Sequence, residues 1–322
     1  MIIDNSAANE FRLCPLLYFE KRIAKLEPKS QVNEVTSLGL GSRVHELLEE
    51  FYKELKGEQV APHSPSPNEA LELEAYMIIS AYRQKYPVED FEIVDVERTF
   101  KVALPDLCPQ CYTQGIEDGV NKQYEERFKE PLGVRWFYCE KCHYSYPGDR
   151  HVYSGKIDLT FRKEIAGKGN VLNIMDHKTE KRRSRSNSPE KWAADDQATL
   201  YLWAASKIYK EEIGNFFVNV LTRPSDKMQE GPMFPDRQRL ERSEEQIKIA
   251  IRDLVFTADE IERHEQLFKN TLWPAKRNAC VQGWGKCEFY LPHTYGWSDD
   301  ILKQKFQPQT PYLDLGDVPI IQ

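Results

Sequence analysis

The residues of this 322-residue chain whose types and spacing could do chemistry fall in two places. The first is Cys108-Pro-Gln-Cys111 with Cys139-Glu-Lys-Cys142, two CxxC turns separated by residues 112–138. Each turn aims two thiolates at one ion, and two turns complete a closed tetrahedral four-sulfur zinc site. Such a site is structural, because four protein ligands leave no position for a substrate. The intervening stretch is poor in aliphatic residues, so its order would depend on the metal. Four ordinary buried cysteines or a redox pair are the alternatives, and two matched pairs among seven cysteines favour zinc.

The second place is Asp158, in Gly-Lys-Ile-Asp, followed by Asp176-His-Lys178. Both stretches read as strands. Asp176 and Lys178 lie two apart, so they face the same side of a sheet. Two carboxylates and an ammonium on one sheet face are costly unless something pairs them, and a divalent cation does. Asp158 and Asp176 suit a hard ion such as magnesium or manganese. The ion would activate water and neutralise a phosphate oxygen, while Lys178 orients the water or holds the developing charge. An ordinary ion pair on a sheet face would have the same spacing.

Positioning these residues falls to a mixed set of elements. Up to about residue 87 the chain reads as helical: FRLCPLLYFEKRIAKLE, then SLGLGSRVHELLEEFYKELKG, then NEALELEAYMIISAYRQKY, which Pro87 stops. FEIVDVERTFKVAL alternates as one strand or two. Residues 105–150 have no amphipathic period and read as an insertion. YSGKIDLTFR and NVLNIMDHK are strands joined by the turn-like AGKGN. SPEKWAADDQATLYLWAASKIYK is a helix opened by Ser-Pro-Glu, GNFFVNVLTR a strand, and SEEQIKIAIRDLVFTADEIERHEQLF a long helix. The expected class is α/β, a mixed sheet flanked by helices. Four segments follow: a helical region with the first core strand (1–104), the ribbon insertion (105–150), a sheet-and-helix core (151–270) and a cysteine-bearing terminal segment (271–322).

Gly-x-x-Asp, a turn, then apolar-Asp-x-Lys-Thr resembles the core signature of RecB-like nucleases in the PD-(D/E)XK superfamily. GLGSRVHELLEEFY resembles that family's N-terminal helix, which makes His45 a metal ligand. VERTF resembles its first core strand, where Glu97 would assist the site. Gln197 and Tyr201 in DDQATLYLWAA resemble its QxxxY helix, which approaches DNA; their i, i+4 spacing shares one helix face. The resemblance covers about residues 11–104 and 151–293. It implies the restriction-endonuclease-like fold and metal ligation by His45, Asp158, Asp176 and the His177 backbone carbonyl, with the His177 side chain turned away. It further implies phosphodiester hydrolysis of DNA leaving a 5′-phosphate, by an exonuclease on single strands or frayed ends. A structure-specific endonuclease and a non-catalytic DNA-end-binding scaffold are the other readings. The implied setting is DNA recombination, repair or CRISPR adaptation, or a phage counterpart, with protein partners from those processes.

Members of that family often carry one upstream and three C-terminal cysteines around a 4Fe-4S cluster. Cys14, Cys280 and Cys287 resemble three of these, and His293 stands nearest the absent fourth. The set would hold an iron–sulfur cluster or a second zinc, or be a degenerate site.

The formal net charge of −7 argues against a surface positive all over, yet allows a local basic groove. The run Lys178–Lys191, with Arg182, Arg183 and Arg185, would line a phosphate path or form a solvated loop. The ribbon falls between the strands of Glu97 and Asp158, so it is expected to leave the sheet edge near the site and touch DNA. No stretch reaches ~18 apolar residues, so no membrane span is expected. MIIDNSAANEF lacks the features of a signal peptide, so a reducing cytoplasmic or nucleoid-associated location is expected, where cysteines bind metal rather than pair.

Overall fold

The computed structural model describes residues 1–29, 35–117, 135–165, 167, 169–181, 189–224, 231–269, 271, 273–282, 285–296, 298–308 and 318–322. They form two compact units. One comprises Met1–Lys29, Phe100–Gly155 and Lys248–Gln322, the other Ser30–Thr99 and Lys156–Ile247. The strands Glu92–Ala103 and Val152–Ile165 each contribute residues to both. Among the described residues, no helix is long and apolar enough to cross a membrane.

A mixed sheet of seven described strands follows the order Gln238–Leu240, Ile213–Thr222, Gly169–Glu180, Val152–Ile165, Glu92–Ala103, Ile320–Ile321. The seventh, Ile2–Ile3, runs parallel to the start of Val152–Ile165. Val152–Ile165 and Gly169–Glu180 are antiparallel, and their turn ends on Gly167 and Gly169 at φ +80° and +75°. Glycine takes this left-handed conformation without a Cβ clash, in keeping with the turn expected between these strands. Ile213–Thr222 then pairs parallel to Gly169–Glu180.

In the unit Ser30–Thr99 with Lys156–Ile247, helices cover both sheet faces. Ser37–Lys56 presents Leu40, Val44, Leu47, Leu48 and Phe51, the helical stripe of i, i+4, i+7, i+8 and i+11. With Glu69–Lys85 it packs on Leu159, Phe161 and Met175, the odd-numbered face of the central hairpin. Each such side chain contributes roughly 1.5–3 kcal/mol on full burial. Arg43 is buried within this layer, where Glu72 accepts from it at 2.8 and 2.7 Å and Glu46 at 2.8 Å. The helix Asp196–Tyr209 reaches the even-numbered residues of the hairpin through Gln197. It is apolar almost all round and buried accordingly.

Two expected helices are broken, each for a local reason. FRLCPLLYFEKRIAKLE does not run straight. The helix Asn5–Leu13 stops at Cys14 (φ −161°, ψ 115°), and a short helix restarts at Pro15 before a wider turn over Phe19–Ile23. The pyrrolidine ring forces the preceding residue out of the helical region, and Pro15 opens the new helix. The stretch 188–210 likewise splits into Pro189–Ala193 and Asp196–Tyr209, because Asp195 leaves helical geometry to cap the second piece. FEIVDVERTFKVAL is one strand, Glu92–Ala103. The two terminal strands, Ile2–Ile3 and Ile320–Ile321, are too short to show a period and were not expected.

The other unit holds the insertion. Ile116–Glu117, Trp136–Cys139 and Tyr144–Pro147 form a small antiparallel sheet. Its core is Cys108, Phe137, Cys139 and Tyr146. A Cβ at Gly115 would collide with the Tyr146 hydroxyl, so only glycine fits there.

Candidate functional site

The even-numbered face of the central hairpin carries the charged residues. Leu159 and Met175 are the last pair of the antiparallel register, and Asp158 and Asp176 follow directly on them, with Lys156 and Lys178 one strand repeat further along. Lys178 Nζ lies 2.7 Å from Asp176 Oδ2 and donates to Gln197 Oε1 at 3.2 Å. Gln197 Nε2 donates to Asp176 Oδ1 at 3.1 Å, closing a ring of three side chains. Gln197 is seated by its own helix start, where Asp195 Oδ1 accepts from its backbone N–H at 2.8 Å. Tyr201, one turn on, is buried, and its hydroxyl reaches the Gln197 side chain and the Lys156 backbone. The QxxxY spacing therefore delivers both residues to this face.

Asp158 joins a second group. His45 Nδ1 lies 3.4 Å from Asp158 Oδ2 and 3.8 Å from Glu97 Oε1. One ligand atom from each of the three residues lies within 4.8 Å of the others. The Asp158 Oδ2 atom also accepts the His177 backbone N–H at 2.7 Å. Glu97 arrives from a strand position at φ +53°, a left-handed conformation rare for a residue with a Cβ. Strain of this kind persists only where its surroundings hold it, and it clusters at functional sites. Glu97 also pairs with Lys156.

Electrostatics tests whether these residues fit a cation. Burial raises the pKa of Asp158, and Glu97 adds to it against His45 and Lys178. Burial likewise raises Asp176, with Asp158 adding, against Lys178. Burial alone would lower His45, but Asp158, Glu97 and Asp176 outweigh it and push it up to about 9. The cluster therefore draws positive charge to itself. Two carboxylates and an imidazole are a hard, mostly oxygen donor set, suited to magnesium or manganese. Burial lowers Lys178 but Asp176 and Asp158 raise it further, so the ammonium stays charged.

Residues 5–289 match the sequence profile of the PD-(D/E)XK nuclease superfamily. The chain belongs to that superfamily. Membership implies a metal-dependent nuclease with DNA as its substrate, and the mixed sheet flanked by helices is consistent with the family's fold. No curated protein matches the chain significantly.

Most residues expected in this nuclease's site are adjacent to one another: His45, Glu97, Asp158, Asp176, Lys178, Gln197 and Tyr201. Asp176 stands with Lys178 and Gln197 rather than in the three-residue group of His45. The His177 imidazole is on the opposite sheet face from Asp176, as alternation requires, but it is not a bland strand residue. It is fully buried, stacks on Tyr52 and bonds Asn219. Arg182, Arg183 and Arg185 lie outside the described residues. Sequence reasoning missed Lys156 and Asp195. Lys156 was findable, since it precedes Asp158 by one strand repeat.

The nuclease has two further cysteine regions. One ligand atom from each of Cys108, Cys111, Cys139 and Cys142 lies within 4.8 Å of the others. The Thr113 hydroxyl helps to hold the Cys111 thiol down at about 6, toward the thiolate that binds metal. Cys14, Cys280 and Cys287 also converge. Lys276 N–H donates to Cys14 Sγ at 3.3 Å, and Cys287 N–H donates to the Cys280 carbonyl at 2.8 Å. Burial raises Cys287, with Cys280 and Cys14 among the charges that act on it. They do not form a group as tight as the ribbon's. His293, expected as their fourth member, has its Nε2 3.4 Å from the buried Glu20 carboxylate. A last group, His151, Asp259 and Glu262, is already balanced by Arg150 and the Met1 ammonium.

Proposed function

We propose that this protein is a RecB-like deoxyribonuclease that uses magnesium or manganese to remove nucleotides from single-stranded or frayed DNA ends. The observation that carries the reading is the junction of two half-sites at the central hairpin. His45, Glu97 and Asp158 gather ligand atoms within 4.8 Å, and Lys178 stands charged beside Asp176. In this reading Asp158, Asp176, His45 and the His177 carbonyl hold the cation, and Glu97 assists. The cation supplies a water of lowered pKa and neutralises a phosphate oxygen. The water oxygen bonds to phosphorus as the P–O3′ bond breaks, and the 3′ oxygen leaves with a proton, giving a 5′-phosphate end. Asp176 holds Lys178 protonated, so its role is to donate to the phosphoryl oxygen as charge grows, not to take the proton of water. Gln197 sets the Lys178 and Asp176 side chains, and Tyr201 packs behind it. Lys156 and the arginines 182, 183 and 185 bind backbone phosphates.

The ribbon cysteines hold zinc in this reading, and the ribbon contacts the DNA strand. Cys14, Cys280 and Cys287 hold an iron–sulfur cluster in the same reading. The working setting is cytoplasmic or nucleoid DNA recombination, repair or CRISPR adaptation. The test compares linear with closed circular single-stranded DNA, in manganese and in chelator. Mononucleotide release from the linear form alone, lost in chelator, supports an exonuclease. Cutting of the circle makes it an endonuclease, and chelator-insensitive binding without cutting makes it a scaffold.

A further inference from the structure

A chain of buried polar side chains ends on residue 177, and the nuclease chemistry described above does not use it. Asn219 lies directly beside His177 on the parallel neighbouring strand. Its Nδ2 donates to His177 Nδ1 at 2.8 Å and to Tyr82 Oη at 2.8 Å. Tyr82 Oη lies 2.7 Å from Tyr52 Oη and accepts from Arg237 at 2.8 Å. Arg237 closes the chain on Glu89, donating at 2.8 and 2.6 Å. With Nδ1 accepting, the His177 ring carries its proton on Nε2. The ring is wedged in place, stacked on Tyr52 at 5.4 Å and edge-on to His45 at 6.2 Å.

Burying such a chain is costly, the more so because His177 Nε2, Asn219 Oδ1 and Arg237 Nε are buried in it without a hydrogen-bond partner among the described residues, and an apolar layer would fill the space at less cost. What the chain adds is a fixed position. His45 and Tyr52 belong to one helix, so the His177 ring packs against the helix that delivers His45. The backbone of residue 177 lies between Asp176 and Lys178, and its N–H holds Asp158.

We propose that Asn219 is a positioning residue of the nuclease site. It acts through the His177 imidazole to fix both the 176–178 backbone and His45 at the geometry a divalent cation requires. Partners one shell out from a metal set ligand orientation, and losing them typically weakens metal binding about 10–100-fold.

The inference rests on the metal-dependent reading, so its test uses manganese affinity as well as cleavage. Free Mn²⁺ would be counted by electron paramagnetic resonance in the wild type, Asn219→Ala, His177→Phe and the double variant, with melting curves alongside. Tyr82→Phe, which removes one hydroxyl only, serves as a milder variant. Asn219→Ala is expected to weaken Mn²⁺ binding about tenfold. Tyr82→Phe should weaken it less, in the same direction. His177→Phe should weaken it too, and adding Asn219→Ala to it should change nothing further, since the link is already cut. Lower melting with affinities within twofold of wild type overturns the proposal, as does an additive loss in the double variant. If Asn219→Ala does not fold, unchanged affinity in Tyr82→Phe overturns it. A wild type that binds Mn²⁺ but cleaves no DNA overturns the functional reading and leaves the affinities to decide this one. A wild type that binds no Mn²⁺ overturns both.

Discussion

Asp158 and Lys178 answer to opposite demands. Burial raises the pKa of Asp158, with Glu97 adding to it against His45 and Lys178, so metal-free folding is opposed by the very charge that a bound cation would use. Asp158→Asn should therefore raise the melting temperature of the metal-free protein while abolishing cleavage, measured by calorimetry beside a nuclease assay. Lys178→Met should leave DNA binding near wild type and lower cleavage about 10²–10³-fold, the usual loss for one charge-stabilising donor. His45 adds a pH signature. Its pKa rises from 6.5 to about 9 in the folded metal-free chain. A raised folded pKa means that the protonated ring contributes stability fully below about pH 6.5, and that this is lost as pH climbs through about 9. Metal-free wild type should thus lose stability across that window relative to His45→Gln. Saturating magnesium should reverse the sign, because only the neutral ring can ligate. Denaturant melts at several pH values, with and without metal, read both. The pairing of Asp176 with Lys178 was legible in the sequence because strand alternation alone unites them. The Asn219–His177 bond was not, since the strand pairing behind it joins distant residues whose register no local pattern reveals.

At the scale of elements, the site depends on where helices begin. Asp195 caps Asp196–Tyr209 by accepting from the Gln197 N–H, and its charge also acts on Lys178. Asp195→Ala should cost about 1 kcal/mol of stability, as cap losses do. Cleavage should fall with it, because Gln197 loses the seat from which it sets Lys178. Asp195→Asn keeps an accepting oxygen and should restore most of both, which a urea melt and a nuclease assay would show. The capping was visible in outline: Ala-Ala-Asp-Asp-Gln offers a capping residue before an apolar run. It was overlooked because Ser-Pro-Glu a few residues earlier is also a good helix start, and both starts are used. Pro15 shows the same thing at the other end, where an apolar period over 11–27 hid a residue that cannot continue a helix. Periodicity reports which face is buried, and it does so even when the backbone changes course beneath it. The left-handed turn at Glu97 left no trace of this kind, since a glutamate in a β-rich stretch gives no sign that its φ is positive.

For the whole molecule, the question is what the two units owe to metal. The unit Ser30–Thr99 with Lys156–Ile247 has a large apolar layer of its own, with Tyr52, Tyr82, Leu40, Leu48 and Ile78 almost fully buried. Among the described residues, the ribbon has no such layer. Its core adds only Phe137 and Tyr146 to cysteines, and two aromatic side chains contribute roughly 3–6 kcal/mol on burial. Strands Trp136–Cys139 and Tyr144–Pro147 are four residues each, and ordering them costs roughly 8–16 kcal/mol at ~1–2 kcal/mol per residue. Zinc held by four thiolates would close that gap, since structural zinc sites contribute about 10–16 kcal/mol. Metal analysis should find one zinc per chain that Cys139→Ser abolishes. In that variant, or after a thiol-selective chelator, hydrogen exchange should rise to the unprotected rate across Trp136–Pro147. Amides of Leu40–Tyr52 and of Leu159, Phe161 and Met175 should keep their protection, because these residues belong to an apolar layer that owes nothing to the cysteines. Retained protection in the zinc-free ribbon would mean that these strands hold by contacts other than the four sulfurs. Loss of protection in both units together would mean that the ribbon is part of the folding core, not an insertion into it.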